Sequence, residues 1–89
     1  MTTVVATHAV GDMETWLGGG SARKALFAGF CSSYRIFKHA NANRVSLVWE
    51  NVDLQKMKAL LGLPEAEAAK AKHTVIDPIE IYIEIDGGT

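Results

Sequence analysis

His8 is the residue of this chain best suited to chemistry. It falls in Val4-Val5-Ala6-Thr7-His8-Ala9-Val10, where β-branched residues predict a strand over residues 3–10. Alternate side chains of a strand share a face, so His8 sides with Val4, Ala6 and Val10, an apolar set that turns towards a core. A histidine so placed can act as general acid or base, because burial and neighbours tune its pKa across neutrality. The plainer alternative is a structural histidine bonded to Asp12, to a backbone carbonyl or to a water. Trp16 and Trp49 could wall a planar ligand, although most tryptophans in a small domain are simply core.

Other chemistry-bearing groups fare less well. Glu80 and Glu84 suggest paired carboxylates, but four residues along a strand separate them by about 13 Å, at roughly 3.3 Å per residue. Glycosidase pairs stand about 5–9.5 Å apart, so that reading fails within one chain. His39 and His73 fall in or beside loops, no ligand cluster has regular spacing, and Cys31 is the single cysteine. No metal site is expected. Gly18-Gly19-Gly20 lacks the lysine and hydroxyl residue of a phosphate loop and follows no strand, so it reads as a flexible break, a candidate pocket lip. Lys70, Lys72 and Glu67 read as a solvated helical face.

These residues need a scaffold. Asp12 is placed to cap a first helix in which Met13, Trp16 and Leu17 share a face. The glycines interrupt it, and Ser21 restarts a helix to about Ala28 with Ala22, Ala25 and Leu26 as its apolar stripe and Gly29 at its end. Residues 31–38 predict a strand with Ser33, Arg35 and Phe37 opposite Tyr34 and Ile36. Ala40-Asn41-Ala42-Asn43 turns the chain into a strand at 44–50, whose Val45, Leu47 and Trp49 share a face. Asp53 caps a helix buried through Leu54, Met57, Leu60 and Leu61 and closed by Gly62. Pro64 opens another, Glu65 to about Lys72, in which Ala66 and Ala69 permit close approach. After Asp77-Pro78, strict alternation from Ile79 to Ile85 sends four isoleucines to one face and Glu80, Tyr82 and Glu84 to the other.

The order β-α-β-β-α-β with right-handed crossovers predicts an α+β, ferredoxin-like sandwich: a four-stranded antiparallel sheet, order 4-1-3-2, with helices on one face. The isoleucines are expected to floor the helix-packed core. The opposite face would carry Glu80, Tyr82 and Glu84 with Arg44, Ser46, Val48, Glu50, Ser33, Arg35 and Phe37. Such a mixed face suits pairing with a second copy, in which Arg35 would meet Glu80 or Glu84 of the partner.

Composition narrows the function. Eighty-nine residues, 48% apolar and 21% charged, make one domain, 1–89. A net charge of −1 gives no general attraction to nucleic acid or anionic membrane. The third strand lacks the Lys/Arg-Gly-Phe/Tyr signature of RNA-recognition modules, and Val10-Gly11-Asp12-Met13 lacks the two cysteines of metallochaperones of this fold. A single cysteine, no secretory leader pattern and no long apolar run predict a cytoplasmic, non-membrane protein.

Val5-Ala6-Thr7-His8-Ala9-Val10-Gly11-Asp12 followed by Trp16 resembles the opening of small bacterial proteins in the dimeric α/β-barrel superfamily. Tyr34-Arg35-Ile36-Phe37, Asn43-Arg44-Val45, Trp49-Glu50, Asp53-Leu54 and Pro64-Glu65 extend the resemblance over nearly the whole chain. The superfamily includes cofactor-free antibiotic-biosynthesis monooxygenases, polyketide cyclases, haem-degrading enzymes and stress-responsive proteins. The resemblance implies two copies with sheets packed into a barrel and a small apolar ligand between sheet and helices. The triglycine and shortened first helix depart from that pattern and alter the pocket's roof.

The expectation is therefore a cytoplasmic homodimer binding a small apolar or aromatic ligand, with no cofactor. Trp16, Trp49, Asp12 and Tyr34 are the candidate ligand-binding residues, and Tyr82, Glu80, Glu84, Arg35 and Phe37 the candidate dimer interface. The alternative is a cofactor-independent monooxygenase or cyclase-like enzyme on an aromatic or polyketide-like substrate, with His8 as its proton-transfer group.

Overall fold

The computed structural model describes residues 2–85. Its elements run β1 (Thr2–Val10), α1 (Met13–Leu17), α2 (Gly20–Phe27), β2 (Ser33–Lys38), β3 (Arg44–Val52), α3 (Leu54–Leu61), α4 (Pro64–Lys72) and β4 (Val75–Ile83). All strand pairs are antiparallel, in the order β2-β3-β1-β4. Read from the other edge, this is the expected 4-1-3-2.

Local signals act where the residue types place them. Asp12 accepts the Thr15 amide at 3.3 Å and Asp53 accepts that of Lys56 at 3.1 Å, each filling one of a helix's orphan donors. Pro64 stands in the first turn of α4. The triglycine splits the first helical segment, but α2 starts at Gly20 with Gly19 as its N-cap, so Ser21 lies inside the helix. The residue at its C-cap is Ala28, not Gly29. Gly19 has a packing reason as well: a Cβ there would lie 2.6–2.7 Å from the His73 imidazole.

Pairing register sorts the sheet faces. One face carries the rows Tyr82–Val5–Val48–Arg35 and Glu80–Thr7–Ser46–Phe37. The other carries Ile83–Val4–Trp49–Tyr34 and Ile81–Ala6–Leu47–Ile36. The core lies on this second face: Val4, Ala6, Val10, Val45, Leu47 and Trp49 are buried beneath Trp16, Phe27, Phe30 and Met57. Towards β2, Phe27 makes edge-on contacts with Phe30, Tyr34 and Trp49 at centroid separations of 5.6, 5.1 and 5.1 Å.

Several expectations require correction. β2 starts at Ser33 rather than residue 31, and β3 runs on to Val52. β4 begins at Val75, four residues before Ile79, and ends at Ile83, leaving Ile85 outside it. Pro78 is accommodated because β4 is an edge strand with a bulge at this point. The isoleucines do not floor a sealed core. Ile79 is half-buried, whereas Ile81, Ile83 and Ile85 are 39%, 42% and 74% exposed, since the helices lie over the central strands. Leu17 is likewise exposed, leaving Trp16 as the buried residue of α1. In α2 the buried stripe is Arg23, Leu26 and Phe27, continued by Phe30, while Ala22 and Ala25 are exposed. That spacing is i, i+3, i+4, i+7, with an arginine in the first place.

Candidate functional site

Between the helices and the β1–β4 side of the sheet lies a cavity of about 490 Å³. That volume is within the usual range for small-molecule sites, roughly 300–1,000 Å³. Its floor is built by Ala6 and His8 of β1, Leu47 and Trp49 of β3, and Ile79 and Ile81 of β4. Trp16, Arg23, Leu26 and Phe27 are contributed by α1 and α2, and Leu60, Leu61, Ala66, Ala69 and His73 by α3, α4 and the C-cap of α4. Ala6 is the reason for the depth, since a methyl group stands where neighbouring rows carry valine or an imidazole. The lining is overwhelmingly apolar, with a few polar groups set into it.

His8 is one of those groups, and it is buried. Its Nδ1 lies 2.9 Å from the Ala9 carbonyl oxygen. A carbonyl can only accept, so Nδ1 carries the proton and a neutral ring keeps its lone pair on Nε2. Burial pushes the His8 pKa below its ordinary 6.5, helped by the charges of Arg23 and Arg44 and opposed by the Ala9 bond and Asp77. At neutral pH the imidazole is therefore uncharged and able to accept a proton. The Trp16 indole meets it edge-on, with centroids 6.0 Å apart.

The sheet is irregular at this point. Thr7 faces Glu80, but Ala9 faces Ile76, so residues 77–79 of β4 stand against His8 alone. A bulge of this kind re-aims side chains and interrupts pairing, and bulges gather beside functional sites. Asp77 within it binds the Lys70 ammonium at 3.3 Å, and Lys70 also binds Glu67 at 3.2 Å, tying α4 to the edge strand. Lys70 is thus not the freely solvated residue the helical pattern implied.

Of the residues singled out by sequence, His8, Trp16 and Trp49 converge on the cavity. Asp12 and Tyr34 do not line it. Asp12 is engaged as the α1 cap, and Tyr34 packs its ring against Phe27 on the β2 side. His39 is also remote, its Nδ1 accepting the Asn41 amide in the hairpin loop. Among the described residues no group of three His, Cys, Asp or Glu side chains is gathered for a metal. The Cys31 thiol donates to the Phe27 carbonyl, and burial raises its pKa, which disfavours the reactive thiolate.

Two lining residues escaped the sequence reading. His73, expected in or beside a loop, is the C-cap of α4 and packs on Gly19, and burial followed by the charges of Arg23 and Lys72 lowers its pKa. Arg23 is 9% exposed, with its guanidinium carbon 3.7 Å from the Trp16 ring centroid. It donates to the Trp16 carbonyl, and no ion pair engages it among the described residues. The available signal was its spacing with Leu26, Phe27 and Phe30.

The interface candidates lie outside the cavity. Arg35 pairs with Glu50 of its own chain at 3.4 Å, Tyr82 donates to Glu80 at 3.4 Å, and Glu84 accepts the Thr3 amide at 3.1 Å. Phe37 and Tyr82 on the uncovered face are 49% and 56% exposed. No described helix is long and apolar enough to cross a membrane.

No protein-family model matches the chain, and no curated protein matches it by sequence. Solved structures do match. A candidate antibiotic biosynthesis monooxygenase from Bordetella bronchiseptica superposes with a TM-score of 0.73 at 16% identity, covering 96% of this chain and 95% of the other. SnoaB, a cofactor-independent oxygenase from Streptomyces nogalater, gives 0.65 at 16% identity over 99% and 93%. Protein Atu4242 from Agrobacterium tumefaciens gives 0.66 at 15% identity over 99% and 95%. At these identities the likeness concerns the fold. With the strand order and near-complete overlap, it shows that this chain has the ferredoxin-like α+β fold that these solved structures share.

Proposed function

We propose that this protein binds a small aromatic or apolar molecule in the cavity between sheet and helices. The observation that carries this reading is the cavity itself: about 490 Å³ of apolar space holding His8 and two tryptophans. A thermal-shift screen of small aromatic acids, phenols and polycyclic ketones tests it. A ligand present at 100 times its Kd adds about 2.7 kcal/mol of stability, enough to read as a rise in Tm. No shift and no change in tryptophan fluorescence across the screen would end the proposal.

A second reading, catalysis, is favoured by the protonation state of His8. Its Ala9 bond directs the lone pair to Nε2, and its lowered pKa keeps the ring neutral, as a general base requires. The corresponding reaction is proton removal from an acidic phenol or activated C–H of an aromatic or polyketide-like substrate, in a cofactor-independent monooxygenase or cyclase. The likeness to SnoaB supports that class. His8→Gln should leave ligand binding in place and stop turnover without added flavin, metal or nicotinamide. Equal turnover by the variant would remove His8 from the reaction.

The proposed working unit is a cytoplasmic homodimer. Phe37 and Tyr82 flank Val5 and Val48 on the uncovered face, and covering them adds the burial that so small a domain lacks. Since Arg35 already has Glu50, the pairing is centred on these apolar residues rather than on Arg35 with a partner carboxylate.

A further inference from the structure

We propose that the cavity contains a cationic subsite centred on Arg23 and that its ligand is an aromatic compound carrying an anionic oxygen. The inference deepens the ligand-binding reading and rests on it. Arg23 lines the cavity with nine-tenths of its surface buried. A guanidinium carries five N–H donors in a planar fork. One nitrogen donates to the Trp16 carbonyl, and among the described residues the others have no acceptor.

Its surroundings do not neutralise it. The one carboxylate of the lining, Glu65, is exposed, and Asp77 is taken by Lys70. Arg23 instead raises the positive potential felt by His8 and His73, both of which line the same space. A buried cation without a counterion is a costly arrangement unless something else supplies the negative charge. Stacking on Trp16 holds the guanidinium in place and offsets only part of that cost.

The guanidinium nitrogens that lack a protein acceptor are not sealed off by packing, so a molecule in the cavity can reach them. A cation in the wall of an apolar space calls for a ligand that is mostly ring and that presents an oxygen anion. A phenolate, an enolate or an aryl carboxylate meets this demand; a hydrocarbon leaves the guanidinium without a counterion.

The test compares 2-naphthoate with its neutral isostere 2-naphthamide at pH 7.5, by calorimetry and tryptophan quenching, on the full chain. Charge-assisted hydrogen bonds predict about 10- to 100-fold tighter binding of the carboxylate. Arg23→Met retains the aliphatic stem and should abolish the preference, whereas Arg23→Lys should keep part of it. Equal affinity of the two probes for the unmodified protein, or a preference that survives Arg23→Met, overturns the subsite and leaves ligand binding standing. Binding of neither probe, together with an empty aromatic screen, overturns both. The comparison on the unmodified protein needs no variant and stands even if one fails to fold.

Discussion

Replacing Ala6 by leucine tests the cavity directly, because it should raise stability while removing the binding site. Ala6 is buried on the floor, between Leu47 of β3 and Ile81 of β4. Leucine adds three carbons, worth about 2.4 kcal/mol at roughly 0.8 kcal/mol each if fully buried. The cavity is open on one side, so about 1–2 kcal/mol is the expected gain. In a domain of this size that is a Tm rise of about 5–15 °C. Urea unfolding followed by tryptophan fluorescence should show a higher midpoint at unchanged slope. Naphthoate affinity should fall by about tenfold or more, since a loss of 1.4 kcal/mol in binding is already tenfold. If the space above Ala6 were filled, the larger side chain would overpack it and cost about 1–3 kcal/mol. Destabilisation of that size with naphthoate binding intact would refute the cavity and the reasoning built on it.

Three further outcomes follow from the same geometry. His8 and His73 both have pKa values lowered below 6.5 in the folded state, chiefly by burial, so the unfolded chain binds more protons at mildly acid pH. Their contribution is complete above pH 6.5 and is lost as pH falls towards the folded-state values. Denaturant titrations from pH 8 to 5 should show this decline, shallower in His8→Gln, and an equal slope in both proteins would contradict it. Gly19→Ala should dislodge the His73 imidazole, while Gly20→Ala meets open space and should gain up to about 1 kcal/mol from helix propensity; paired unfolding curves and the His73 NMR signal would read both. Sedimentation at micromolar concentration should give twice the 9.6 kDa chain mass, falling to the chain mass when Phe37 and Tyr82 are both replaced by glutamate; an unmodified protein that sediments as a monomer removes the homodimer.

The parts of the fold legible in the sequence are those governed by neighbours along the chain. Strand parity at Val4, Ala6, His8 and Val10 predicts a buried face, and these residues are buried. Asp12 and Asp53 predict helix starts, and both are caps. For the site, parity turns His8 towards the face that holds the cavity, whereas Asp12 caps α1 and Tyr34 packs on Phe27, relations that parity alone does not reveal. A charged residue is normally read as solvent-facing, so the apolar pattern points to Ala22, Ala25 and Leu26, whereas the observed stripe shares only Leu26 with it and adds Arg23, Phe27 and Phe30. Burial of arginine depends on what stacks on it, and Trp16 is seven positions away.

The alternating isoleucines mark the same boundary. Their period of two determines that they form a strand and share a face, because that follows from backbone geometry alone. Whether the face is covered depends on where the helices lie over the sheet. Helices packed over β1 and β3 leave the edge strand partly open, so Ile79 and Ile81 form part of the floor of an open cavity rather than of a sealed core. The bulge opposite His8, the unpaired guanidinium and the empty space above Ala6 likewise arise only when distant elements meet, since each is a relation between residues that the chain holds far apart.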